Sequence, residues 1–182
     1  MKRRLVTIGT FDGVHRGHQS VLRRLAREAR RLGLEAGVVL FAEPPRFFFR
    51  PETRVGLLTL PEERAALIKG LGVDSVTTLA FSRRWAAMSA EDFLEGFLVR
   101  RCRAGGLLVG PDFACGRDRR GDVPWLRVEC HRRGLHLLLE PMLSEEGVKV
   151  SSSRIRALLV EGAVEKAAKL LGRPHSVAAA VR

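Results

Sequence analysis

Two histidines three residues apart, His15 and His18, stand in the run Gly9-Thr10-Phe11-Asp12-Gly13-Val14-His15-Arg16-Gly17-His18-Gln19, between a short β-rich segment and a helical one. A helix start offers unpaired backbone N–H groups and the positive end of the helix dipole, both favourable to anions. Gly17 between the histidines lets a ligand come close to the backbone. Together these features make a donor cluster suited to phosphate oxygens. A zinc site would need a third clustered Cys, His or carboxylate ligand, which this run does not offer. A capping histidine beside a surface histidine would account for either residue alone, but not for the pair in its glycine pattern.

A second group of the same character is Val150-Ser151-Ser152-Ser153-Arg154-Ile155-Arg156. Serines at a helix start present hydroxyls and backbone N–H groups, and an arginine one turn on presents a forked donor that matches phosphate. Taken alone it would be an ordinary N-cap with solvated arginines. A third group, Phe47-Phe48-Phe49, lies between Pro44-Pro45 and Pro51. Its prolines predict a loop or flap, whose rings could stack on a flat ligand or pack against the protein.

The elements that must position these groups alternate along the chain. Strand-like runs occur at Leu5–Ile8, Gly37–Phe41, Val73–Ala80, Leu107–Val109 and His136–Leu139. Between and after them come helical patterns: Val21, Leu22, Leu25, Ala29 and Leu32 opposite an arginine stripe; Leu67, Ile68 and Leu71 after Thr59-x-x-Glu62; and Phe93, Leu94, Phe97 and Leu98 after Ser89-x-x-Asp92. Two more follow the serine block, ending at Gly162 and Gly172, and Arg117–Asp122 reads as a charged loop. Such alternation predicts an α/β fold, a Rossmann-like doubly wound, mainly parallel five-stranded sheet with helices on both faces. Ligands bind such sheets beyond the carboxyl ends of the strands. The histidine pair follows the first strand directly.

The chain has 182 residues, 46% of them hydrophobic, enough for one domain with a core that needs neither disulfides nor a structural metal. No apolar run approaches the roughly 18 residues of a membrane span, and the start lacks the pattern of a secretory signal, so a cytoplasmic protein is expected. Cys102, Cys115 and Cys130 form no C-x-x-C pair and are expected to be reduced and mostly buried. The formal charge of +12 favours polyanionic partners, nucleic acid among them. Yet 27 of the 32 basic residues are Arg and there is no Tyr, which fits a compositional bias as well as a functional surface.

His15-Arg16-Gly17-His18 after a strand resembles the H-x-G-H signature of the nucleotidylyltransferase superfamily. The longer run from Gly9 to Gln19 resembles the opening of the prokaryotic FAD synthetases, in which an amino-terminal FMN adenylyltransferase module is normally fused to a riboflavin kinase. Three later segments are similar in the right order: Phe41-Ala42-Glu43-Pro44-Pro45, with Pro44 where many members have His; Val109-Gly110-Pro111-Asp112-Phe113-Ala114-Cys115-Gly116 with Arg119-x-Gly121-Asp122, where Cys115 replaces an aromatic; and Ser151-Ser152-Ser153-Arg154-Ile155-Arg156, with Ser153 for Thr. Gly172-Arg173-Pro174-His175 resembles the junction that leads into the kinase.

The resemblance implies that residues 1–174 form an FMN adenylyltransferase domain and that 175–182 begin the junction to a riboflavin kinase module absent from this sequence. The implied reaction is ATP plus FMN giving FAD and pyrophosphate, with Mg2+ accompanying ATP and no metal residue named. It implies His15, His18, Ser152 and Arg156 as catalytic residues. Gly9, Thr10, Phe11, Gly17, Gly110, Ser151 and Arg154 would contact ATP, and Phe48, Phe49, Asp112 and Phe113 the flavin. ATP and FMN are then the partners, together with a riboflavin kinase domain or protein, and neither a membrane nor a specific nucleic acid is expected. Three alternatives stay open: a related transferase with another acceptor, a flavin-binding domain without catalysis, and a basic nucleic-acid-binding module.

Overall fold

The computed structural model describes residues 2–140, 144–145 and 148–177; of the expected junction, residues 178–182 lie outside these. Five strands form one sheet: β1 (Arg4–Gly9), β2 (Glu35–Phe41), β3 (Ser75–Leu79), β4 (Ala104–Val109) and β7 (His136–Leu139). Their spatial order is β3-β2-β1-β4-β7, and all four pairings are parallel. The order reverses between β1 and β4, which makes their carboxyl ends the place for a ligand.

Alternation of side chains along the strands loads both faces of the sheet. Leu5, Val38, Leu40 and Leu108 pack with Leu22, Leu25 and Ala29 of α1 (Arg16–Arg31) and with Ile68 of α3 (Pro61–Lys69). Val6, Val39, Leu107 and Val109 pack on the other face. There they meet Phe93, Leu94, Phe97 and Leu98 of a π-helix (Asp92–Arg101) and Leu126 and Cys130 of α5 (Val123–Arg132). Burial on both faces explains why the central strands read as continuous apolar runs rather than alternating ones. A smaller apolar cluster joins Ile155 of α6 (Ser152–Val160) with Ala167 and Leu171 of α7 (Val164–Leu171) and with Leu58.

The structure departs from the sequence expectation in four places. Phe47–Phe49 lie in one helical turn, α2 (Arg46–Phe49), with Phe47 buried, rather than in a loop. The helix begun by Ser89, whose hydroxyl accepts from Asp92 N–H at 3.0 Å, winds with i→i+5 bonds, ending with Cys102 N–H donating to the Phe97 carbonyl at 2.9 Å. The charged stretch 117–122 is the tip of a hairpin, β5 (Ala114–Cys115) paired with β6 (Gly121–Asp122). Helices α4 (Arg83–Ala87) and α5 were not anticipated. Asp122 starts α5, its side chain accepting from Trp125 N–H at 2.9 Å, with Pro124 in the first turn. As expected, the three cysteines are free and buried.

Candidate active site

A cavity of about 660 Å³ opens at the carboxyl end of the sheet. Its walls come from Thr10–Asp12 after β1, from His15, Gly17, His18 and Val21 at the start of α1, and from Pro44–Arg46 after β2. Gly110 after β4, Arg119 of the hairpin tip, Glu140 after β7, and Val150–Ser153 with Arg156 at the start of α6 complete it. Segments far apart in sequence are thereby brought around one space.

The backbone leading from β1 into α1 is contorted. Phe11, Gly13 and Val14 have φ of 50°, 80° and 40°, and a positive φ at a β-branched residue is a costly outlier that surrounding structure must impose. Asp12 does much of the imposing. Its buried Oδ1 accepts from Leu58 N–H at 2.9 Å and from Thr59 N–H at 3.3 Å, while Gly13 N–H donates to Thr59 Oγ1 at 3.0 Å. A Cβ on Gly13 would lie 2.8 Å from Leu58 Cδ1.

The strained turn sets the histidines. His15 is the N-cap of α1, its Nδ1 accepting from His18 N–H at 3.3 Å. In the neutral ring the proton then sits on Nε2. The two imidazoles stack, with centroids 3.6 Å apart and planes 17° from parallel, and Phe11 meets His18 edge-on at 5.2 Å. Gly17 leaves room for this, since a Cβ there would lie 3.2 Å from the His15 ring. Burial lowers the pKa of His15 to about 4. It also holds His18 well below the ordinary value, with His15 and the Arg64 guanidinium adding repulsion. Both rings are therefore neutral N–H donors near pH 7.

The sign of the resulting pH dependence follows from linkage. The His15 pKa falls from 6.5 to about 4 on folding, so between those values the unfolded chain binds more protons than the folded one. Stability is thus fully present above pH 6.5 and is lost as pH falls toward 4, His18 acting in the same direction, with His15 alone worth about 3 kcal/mol. The melting temperature of the ligand-free protein should accordingly drop by several degrees between pH 7 and 5, where carboxylates are still largely ionised. The drop should be smaller in His15→Gln, where His18 alone of the pair still titrates, and an equal drop in that variant would place its origin outside His15.

On the facing side, Arg156 Nη1 donates to Asp12 Oδ2 at 2.7 Å and Ser152 Oγ donates to the Asp12 carbonyl at 2.9 Å. Ser151 caps α6 by accepting from Arg154 N–H at 3.3 Å. The start of α6 is therefore latched to the β1–α1 turn. Arg64 is fully buried beneath this turn and donates to the carbonyls of Thr10, Phe41 and Ala42 at 2.8, 3.2 and 2.6 Å, tying the ends of β1 and β2 together. Glu140 is paired with Arg24 at the opposite wall.

A second cavity, of about 300 Å³, adjoins the first. Phe41, Pro45, Phe49, Phe81, Trp85, Phe93 and Phe113 supply its apolar walls, with Cys115 and the hairpin tip closing it. Pro45, Ala114 and Arg119 line both cavities. Burial pushes the Cys115 thiol up to about 12, and it donates to the Gly121 carbonyl at 3.5 Å, so it serves as neutral wall rather than as a nucleophile.

Of the residues singled out from the sequence, His15, His18, Ser152, Arg156, Thr10, Phe11, Gly17, Gly110 and Ser151 line the first cavity, and Phe49 and Phe113 the second. Four do not. Gly9 faces the Phe11 ring, 3.0 Å from where a Cβ would stand. Arg154 and Asp112 are exposed outside both walls, and Phe48 packs edge-on against Phe49 and Phe81. Asp12, Arg46, Arg64, Arg119 and Glu140 were missed as site residues. Arg64 had a signal, since it stands one turn before Ile68 on the buried side of α3.

A parallel sheet that reverses beside a histidine-lined helix start, with a serine–arginine helix start latched against it, places this domain among the nucleotidylyltransferase-like α/β folds. The chain belongs to the FAD synthetase family, whose model matches residues 1–154. It is 41% identical over 177 residues to a bifunctional riboflavin kinase/FMN adenylyltransferase of Pseudomonas fluorescens, covering 97% of this chain and 57% of that one. Against the protein of the same description from Escherichia coli (strain K12) it is 35% identical over 177 residues, covering 97% and 56%. The chain thus spans a little over half the length of these curated relatives. A crystal structure described as a macrolide-efflux protein from Streptococcus pneumoniae is similar with a TM-score of 0.80 and 28% identity, over 96% of this chain and 58% of that one. Among the described residues no helix is long and apolar enough to cross a membrane.

Proposed function

We propose that this chain transfers the adenylyl group of ATP to FMN, giving FAD and pyrophosphate. The observation that carries the proposal is the junction of two unlike cavities, one lined by the histidine pair and the serine–arginine helix start, the other walled by aromatic rings. A triphosphate suits the first and a flat isoalloxazine the second. An FMN phosphate oxygen attacks the α-phosphorus in line, a new P–O bond forms, and the bond to the bridging oxygen breaks with pyrophosphate carrying away the electron pair. The nucleophile is already anionic, so the protein has no proton to remove and works by positioning and by stabilising charge.

His15 Nε2–H and His18 donate to phosphate oxygens as charge builds on the α-phosphate and the leaving group. Ser152, Ser153 and Arg156 approach the β- and γ-phosphates from α6. Mg2+ accompanying ATP would supply charge neutralisation on its phosphates beside these donors. Asp12 is engaged with Arg156 and Glu140 with Arg24, and an ion carried by phosphate oxygens and water would need neither carboxylate. Residues 1–174 form the transferring unit, followed by a junction to a riboflavin kinase of the kind named in the relatives. A cytoplasmic location fits the three free, buried cysteines.

Incubation of the purified chain with ATP, Mg2+ and either FMN or riboflavin, followed by chromatography of the flavins, tests this. FAD should form from FMN and not from riboflavin. A folded chain that yields no FAD from FMN overturns the assignment. The aromatic cavity favours a flat acceptor over the other acceptors of the superfamily, and FAD formation separates this enzyme from a catalytically silent flavin binder or a nucleic-acid module.

A further inference from the structure

FMN is a flat ring joined by a ribityl chain to a phosphate, and the donors so far assigned all serve the phosphates of ATP. If FMN is the acceptor, as proposed above, its ring in the aromatic cavity places its phosphate where that cavity meets the histidine cavity. Pro45, Ala114 and Arg119 line both spaces, and Arg119 alone of the three carries charge.

Of the other cations near the first cavity, Arg46 also lines it but sits over the Phe47 ring at 5.4 Å and does not line the aromatic one, and the rest are engaged. Arg156 is paired with Asp12, Arg24 with Glu140, and Arg64 with three backbone carbonyls. Arg119 spends one N–H on the Asp112 carbonyl, at 3.0 Å, and pairs with no carboxylate among the described residues. The rest of its guanidinium fork is available to an anion.

Its position is also enforced by the hairpin. Asp118 and Arg119 both hold left-handed backbone, with φ of 58° and 57°, a conformation that is uncommon outside glycine. The turn is anchored at Gly116, where a Cβ would lie 2.5 Å from the Ala90 backbone, and by Arg117 N–H donating to the Met88 carbonyl at 2.7 Å. The pairing of Ala114 with Asp122 and of Cys115 with Gly121 closes it from the other side.

We propose that Arg119 binds the phosphate of FMN at this junction, holds the attacking oxygen toward the α-phosphorus, and makes the enzyme distinguish FMN from riboflavin. A guanidinium fork engages two oxygens of a phosphate and leaves the third to react.

Binding of FMN and of riboflavin to the folded wild type, Arg119→Met and Arg119→Lys, read by quenching of flavin fluorescence, tests this apart from turnover. The wild type should bind FMN more tightly than riboflavin. Arg119→Met should weaken FMN by about tenfold or more, the value of a charge-assisted bond, while leaving riboflavin within about twofold. Arg119→Lys, which keeps the charge but loses the fork, should fall between. Equal weakening of both flavins would make Arg119 a shaper of the hairpin, and unchanged FMN binding would place the phosphate elsewhere; either result overturns the assignment. A wild type that binds FMN selectively but forms no FAD would refute the proposed activity while leaving this binding role standing.

Discussion

Replacing His18 by alanine should lower the turnover of FMN to FAD by about a hundredfold or more, the usual consequence of removing one preorganised donor from a developing negative charge. His18 is fixed by the His15 stack on one side and the Phe11 edge on the other. It would therefore pay little reorganisation as charge moves toward the leaving group in the proposed transfer. Burial, the neighbouring His15 and the Arg64 cation hold its pKa well below the ordinary value, so the site presents a neutral donor partly shielded from water, where a hydrogen bond to phosphate is worth more than in bulk solvent. His18→Asn, which keeps an N–H donor, should recover part of the loss. Steady-state kinetics with varied ATP should show the fall mainly in kcat, because the donor acts most strongly on charge that appears in the transition state. A folded His18→Ala protein within tenfold of wild type would remove His18 from the chemistry.

The parts of this site legible in the sequence are those fixed by local periodicity. Ser152 and Arg156 are four residues apart, so a helix places them on one face, and both line the cavity. Arg154, two residues from each, is turned away by the same geometry. Phe47, Phe48 and Phe49 could not be sorted while they read as a loop. In a helical turn successive side chains point about 100° apart, so Phe47 goes into the core, Phe49 faces the aromatic cavity, and Phe48 does neither. Phe41 and Phe81 join that cavity because β2 and β3 are adjacent and end together, a fact of strand order that no local pattern contains. Helix α5 escaped notice although Asp122 and Pro124 mark its start, because the surrounding Arg and Asp residues suggested a loop. The π-helix has apolar pairs at Phe93-Leu94 and Phe97-Leu98, a spacing that an ordinary helix satisfies equally well.

Asp12 is the clearest case of a site residue whose partners are invisible from sequence, and its replacement by alanine should cost about 3–5 kcal/mol, the range for breaking a buried ion pair from one side. The carboxylate is buried and joins three chain segments: Leu58 and Thr59 before α3, the β1–α1 turn that it belongs to, and Arg156 of α6. Alanine would strand the Leu58 N–H and leave the Arg156 guanidinium, only 19% exposed, without its anion. For a chain of this size the melting temperature should fall by about 10 °C or more. Asp12→Asn keeps an acceptor for Leu58 and Thr59 and should lose less. The coupling to Arg156 is measurable separately: Asp12→Ala/Arg156→Ala should be at least 1 kcal/mol more stable than the sum of the single losses, because the second change removes the charge that the first leaves unpaired. Strict additivity in denaturant unfolding would mean that Asp12 acts through the turn alone. The predicted coupling would show that one carboxylate both holds the strained turn beneath the histidines and sets the position of the arginine that faces them.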